Sequence, residues 1–92
     1  MANYLVSYDL DQPGAQSHAR IKTRLLESKA IQVLSNQWLM KFPGDIFAVE
    51  KDLLACIDAA DRLLIVPIEQ GRNAWSNLRI GNADFKAWVS GV

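Results

Sequence analysis

Residues 31–42 read Ile31-Gln-Val-Leu-Ser-Asn-Gln-Trp-Leu-Met-Lys-Phe42, two short apolar runs (31–34 and 38–42) around the polar Ser35-Asn36-Gln37. Extended, apolar stretches on either side of a short polar connection predict a β-hairpin. Trp38, Met40 and Phe42 share one face of its second strand, because side chains alternate along an extended chain. What flanks this hairpin decides the fold.

On the N-terminal side, residues 15–29 change period. His18, Ile21 and Leu25 recur at helical spacing, with Ala15 and Leu26 beside them and Arg20, Arg24 and Glu27 on the solvated face. Before them, residues 3–10 (NYLVSYDL) are aromatic and β-branched and stop at Asp11, Pro13 and Gly14, which reads as a strand and a turn. Apolar residues on both of its faces predict a central strand. On the C-terminal side, Pro43-Gly44 breaks the chain and Asp45 opens a second helix. Ile46, Val49, Leu53, Ile57 and Ala60 form its stripe, with Cys56 alongside, and Asp61 ends it. Residues 62–68 (RLLIVPI) are then a nearly continuous apolar strand, in which Pro67 points to a sheet edge or bulge.

The order strand, helix, strand, strand, helix, strand predicts a ferredoxin-like α+β domain of βαββαβ type, with two helices on one face of an antiparallel sheet. The core spans about residues 3–70 and a short helical tail about 71–92. A sheet open on one side is polar there, yet these strands are apolar on both faces. The tail, with Trp75, Leu78, Ile80, Phe85, Trp88 and Val89 on short helices starting near Arg72 and Asn82, supplies part of a cover. A second subunit supplies the rest, so a homodimer packed through the sheet or through tail exchange is expected.

Ninety-two residues make one domain, and a mixture that is 50% hydrophobic and 22% charged is globular. The single Cys56 excludes an intramolecular disulfide or a multi-cysteine zinc site, and it suits a reducing cytoplasm. No targeting signal is visible, and Leu63 to Ile68 is too short to span a bilayer, so no membrane partner is expected. Net charge is zero, which removes the broad attraction on which non-specific nucleic-acid binders rely. The charges are segregated, however. Arg20, Lys22, Arg24 and Lys29 oppose only Glu27 in the first helix, while Asp45, Glu50, Asp52, Asp58 and Asp61 oppose only Lys51 in the second. Such an arrangement steers a polyanion to one side, or pairs two copies of the protein.

Tyr4-Leu-Val-Ser-Tyr-Asp-Leu10 followed by Pro13-Gly14, Ser35-x-x-Trp38-Leu39, Asp61-Arg-Leu-Leu64 and Ala74-Trp75-x-x-Leu78 occur in this order along the chain. In these motifs the chain resembles the second CRISPR-associated core protein, the Cas-two family, and more closely its stand-alone relatives labelled SinR-like. The resemblance covers roughly residues 3 to 78. It implies a ferredoxin-like homodimer in which Asp9, closing the first strand, lies near the dimer axis. In nucleolytic members two such aspartates hold a divalent metal, Mg²⁺ or Mn²⁺, for phosphodiester cleavage, while other members are structural parts of a DNA-integrating complex. The neutral charge and the tryptophan-rich helical tail depart from the adaptation proteins, and a free-standing relative fits better.

Asp9 is accordingly the candidate catalytic and metal-binding residue, and capping or turning the chain with Asp11 is its alternative role. Arg20, Arg24 and Lys29, with Arg72 and Arg79, are the candidate phosphate contacts, and Tyr8 is a candidate for stacking on a base or contacting a phosphate, with packing in the core or an interface as its alternative role. His18 is the only imidazole but lies on an apolar stripe, and Ser7 and Ser35 have no base beside them. The function expected is a nucleic-acid-associated homodimer acting on RNA or DNA as a weak metal-dependent endonuclease. The alternative is a non-catalytic dimerisation or protein-interaction module of the same fold.

Overall fold

The computed structural model describes residues 2–11, 16–68, 76 and 79–90. Strand β1 (Ala2–Asp9) carries apolar side chains on both faces and is paired along both edges. On one edge lies the hairpin of β2 (Ile31–Leu34) and β3 (Gln37–Phe42), on the other β4 (Arg62–Pro67). All neighbours are antiparallel, and the strand order is β2-β3-β1-β4. With helices α1 (Gln16–Glu27), α2 (Ile46–Leu54) and α3 (Asn82–Ser90), the chain is a small α+β fold. No helix among the described residues is long and apolar enough to cross a membrane.

The hairpin turn is shorter than expected. Ser35-Asn36 alone make it, and Gln37 joins β3 opposite Leu34, with a bulge between Gln32 and Leu34. Pro67 does sit in an edge strand. The Ile68 amide donates to the Asn3 carbonyl (3.0 Å), which sets the phase of the β1–β4 ladder. By alternation, Arg62, Leu64 and Val66 turn their backbone polar groups toward β1. Leu63, Ile65 and Pro67 turn theirs outward, so the missing proline donor costs no sheet bond.

The first face of the sheet carries Tyr4, Val6 and Tyr8 from β1 and Trp38 and Met40 from β3. It is closed by Ile21 and Leu25 of α1 and by Val49 and Leu53 of α2. Val6, Ile21, Leu25, Met40, Val49 and Leu53 are fully buried, each contributing about 1.5–3 kcal/mol of burial. Leu26, expected beside the α1 stripe, is exposed. That helix ends in a Schellman motif, with Ala30 N–H to Leu25 O (2.9 Å) and Lys29 N–H to Leu26 O (3.0 Å). Lys29 therefore occupies the left-handed position that usually takes glycine, at φ 59°.

Asp45 caps α2 as expected, its carboxylate accepting from the Ala48 amide (2.9 Å). The helix is shorter than its apolar stripe suggests, closing at Ala55. Ile57 and Ala60 continue the spacing but lie in turns, because the Asp61 carboxylate takes the Asp58 amide (2.8 Å) and the Asp61 amide goes to the Asp58 carbonyl (3.1 Å).

The second face is covered by the chain's own C-terminal segment. Phe85 of α3 packs on Val33 and Leu39, with Leu5, Ile68 and Ile80 around them. The start of α3 matches the helix expected near Asn82. The helix expected near Arg72, with Trp75 and Leu78, lies outside the described residues, as do the side chains of Trp88 and Val89. The cover stops short of β4, where Leu64 and Val66 stay exposed. On the same face Asn3 is buried with neither amide atom hydrogen-bonded.

Candidate functional site

Asp9 closes β1 on the second face, and its position in the sheet explains its surroundings. The residue opposite it on β4 is Arg62, whose Nη1 donates to Asp9 Oδ2 at 3.2 Å. Both side chains are more than two-thirds exposed, so water screens the pair and it stabilises by at most about 1 kcal/mol. They border a shallow cleft of about 150 Å³ lined also by Ser7, Tyr8, Leu63 and Leu64.

Asp61 organises this end of the molecule. Its Oδ1 accepts from the Asp11 amide (2.8 Å) and its Oδ2 from the Asp58 amide (2.8 Å). These backbone donors, with the Ser17 hydroxyl and the charge of Arg20, hold its carboxyl below the usual carboxylate range. Asp61 thus ties the end of β1 to the start of α1 and the entry into β4. Its place as the last residue of an apparent helical stripe gave no sign of this role.

A hard divalent cation needs several oxygen ligands. Asp9 offers one carboxylate whose neighbour is a guanidinium, and no three His, Cys, Asp or Glu side chains among the described residues converge on a metal position. Among the described residues, therefore, the donors around Asp9 do not make up a Mg²⁺ or Mn²⁺ site.

The expected nucleic-acid contacts are not brought together. Tyr8 is buried on the helix-covered face, and its hydroxyl accepts from Trp38 Nε1 (3.2 Å), so its ring serves packing. Arg24 grips Asp52 through two nitrogens, with Nε to Oδ1 at 3.0 Å and Nη2 to Oδ2 at 2.7 Å. The Asp52 hydrogen bond holds its guanidinium more firmly protonated than usual, against the opposing effect of burial. Arg20 reaches the Cys56 carbonyl (3.0 Å) and Asp58 (3.1 Å). Arg24 of α1 is thus paired with Asp52 of α2, and Arg20 with Asp58 in the turn after α2, inside one chain. Lys29 lies at the opposite end of the sheet from Asp9, and its backbone role in the helix cap accounts for its position. His18 is half-buried on α1. Cys56 is a free thiol whose pKa is pushed up, first by burial and then by Asp52, which makes it a poor nucleophile.

A further surface without an assigned role lies along the outer edge of β4. Asp52 turns toward α1, so Phe47, Glu50 and Leu54, on the far side of α2, look out over β4. Between them and Leu63, Leu64 and Ile65 runs an open groove of about 430 Å³. Phe47 is 74% exposed, Leu64 60%, Leu54 49% and Val66 41%, which puts four of the six exposed large apolar side chains among the described residues on this one edge. Sequence reading marked Pro67 as an edge residue but could not see that α2 adds two apolar side chains to the same strip. No protein-family model matches this chain, and neither does any curated protein or solved structure.

Proposed function

We propose that this chain is a cytoplasmic, ferredoxin-like module of Cas-two type that works by homodimerisation and protein interaction and not by hydrolysis. The observation that carries the reading is the β4–α2 edge, where Phe47, Leu54, Leu64 and Val66 stay exposed while Phe85 of α3 packs on Val33 and Leu39. Contiguous exposed apolar side chains on a small domain mark an interaction surface. The order β2-β3-β1-β4 with every neighbour antiparallel supports the ferredoxin-like part, since it is the order of two interlocked βαβ units. The mutual neutralisation of Arg20 and Arg24 with Asp58 and Asp52 argues against a polyanion as the main partner. Sedimentation velocity over a range of concentrations, with and without RNA or DNA at modest salt, tests this reading. It predicts a dimer and no shift with nucleic acid, and a monomer at every concentration contradicts it.

A second reading, a nucleic-acid-associated and weakly Mg²⁺- or Mn²⁺-dependent endonuclease, is favoured by one observation. Asp9 is solvent-exposed at the end of the central strand, beside Arg62, a guanidinium able to take a phosphate. On this reading Asp9 supplies one ligand of a cation site completed by another copy. Incubation with RNA and DNA plus either metal, beside Asp9→Ala, tests it. Cleavage lost in the variant supports it, and cleavage that persists in the variant, or none in either protein, contradicts it.

A further inference from the structure

We infer that the occupant of the β4–α2 edge is a second copy of the same edge, joined about a two-fold axis through Leu64 into a continuous eight-stranded sheet. The inference rests on the dimerisation reading and specifies its interface. Three independent features of the edge are self-complementary.

The first is backbone chemistry. Only Leu63 and Ile65 of β4 direct both an N–H and a C=O outward, since Pro67 has no N–H. An antiparallel partner centred on Leu64 sets Leu63 opposite the partner's Ile65, and each such pair exchanges both of its backbone hydrogen bonds. One step further out, Pro67 faces the partner's Asp61. The Asp61 amide is already bonded to the Asp58 carbonyl (3.1 Å). The ladder thus ends where neither side has a donor left to strand.

The second is the exposed apolar side chains. Leu64 meets the partner's Leu64 across the axis as a non-hydrogen-bonded pair, the closer kind for side chains. Val66 falls opposite the partner's Arg62 and covers its aliphatic stem.

The third is the helix above the strand. β3 and β4 run parallel, so the connecting α2 runs opposite to β4. The two-fold axis then sets the two α2 helices antiparallel and side by side on one face of the joined sheet. In that arrangement exposed Phe47 lies against the partner's exposed Leu54, a contact that occurs twice. An apolar pattern that matches itself when the helix is reversed favours a second copy over a partner of other composition.

The interface has a consequence for Asp9. It sits one strand in from the edge and two residues along from Leu64, so strand spacing and rise put the two Asp9 positions roughly 20 Å apart. They cannot share one cation in this dimer.

Cysteine cross-linking tests the inference. In a Cys56→Ser background, Leu64→Cys is expected to form a disulfide-linked dimer under mild oxidation, because cross-axis Cα atoms about 4.5–5.5 Å apart satisfy disulfide geometry. Val66→Cys, displaced from its own symmetry mate, is expected to stay unlinked. A dimer in solution with no Leu64→Cys cross-link, or with equal linking at both positions, overturns this interface and leaves the dimerisation reading standing. A monomer at all concentrations overturns both.

Discussion

The two edges of this sheet face the same physical problem and meet it differently. Each presents backbone donors and acceptors that invite another strand. At the β2 edge the strand is only four residues long and carries a bulge. The Arg79 amide bonds to the Val33 carbonyl (2.9 Å), and Phe85 seals the neighbouring surface. At the β4 edge the strand is six residues long, and exposed Leu64 and Val66 lie beyond the reach of α3. Its only blunting device is Pro67, which shortens the available ladder without closing it. Among the described residues, Arg79 and Phe85 complete one edge within the chain, while the outward backbone of β4 stays open.

Breaking the β2 side is expected to cost folding stability. Phe85→Ala empties a buried site and should destabilise the fold by about 3 kcal/mol in urea titration. On the β4 side, Leu64→Lys should leave the unfolding free energy of the isolated protomer within about 0.5 kcal/mol, because the side chain is 60% exposed. Two ammonium groups on the dimer axis should still weaken association on the order of 100-fold by sedimentation equilibrium. A large stability loss in Leu64→Lys, or none in Phe85→Ala, would erase the contrast between the edges.

Smaller changes sharpen it. Lys29→Gly relieves the left-handed backbone at the end of α1 and should stabilise the fold by about 1 kcal/mol without altering association. Any loss of nucleic-acid binding in that variant would restore the phosphate role first expected of Lys29. The least effect is expected at Asp61. Its carboxyl is held below its ordinary value, so its stabilising effect is complete above the usual carboxylate range and is lost as the pH falls through the lowered value. Asp61→Asn should therefore melt lower than the parent at neutral pH, with the gap closing in acid.

Much of this contrast was legible in the sequence. Alternation in residues 3–10 marked a central strand, and Pro67 marked an edge. Segregated charge on the two helices announced that they would pair with something. That they pair with each other depends on adjacency across the sheet, which no local pattern encodes. The same limit hid the Trp38–Tyr8 bond that accompanies the packing of Tyr8. The end of α2 was misplaced for a different reason. Ile57 and Ala60 keep helical spacing, while a turn built by Asp58 and Asp61 overrides it. Asp9 was placed correctly at the end of its strand, but its ion pair with Arg62 required the β1–β4 register. Phe47 and Leu54 lie outside the apolar stripe read on α2, and where they point is set by what lies beneath the helix.

The central claim is that the outward backbone of β4 is used by a second copy, and amide hydrogen exchange reads that backbone directly. The N–H groups of Leu64 and Val66 bond to β1 within the chain, so their protection should not depend on protein concentration. Those of Leu63 and Ile65 should be protected at high concentration and exchange freely on dilution. If Leu63 and Ile65 exchange freely at every concentration, the edge is not an interface and the account fails.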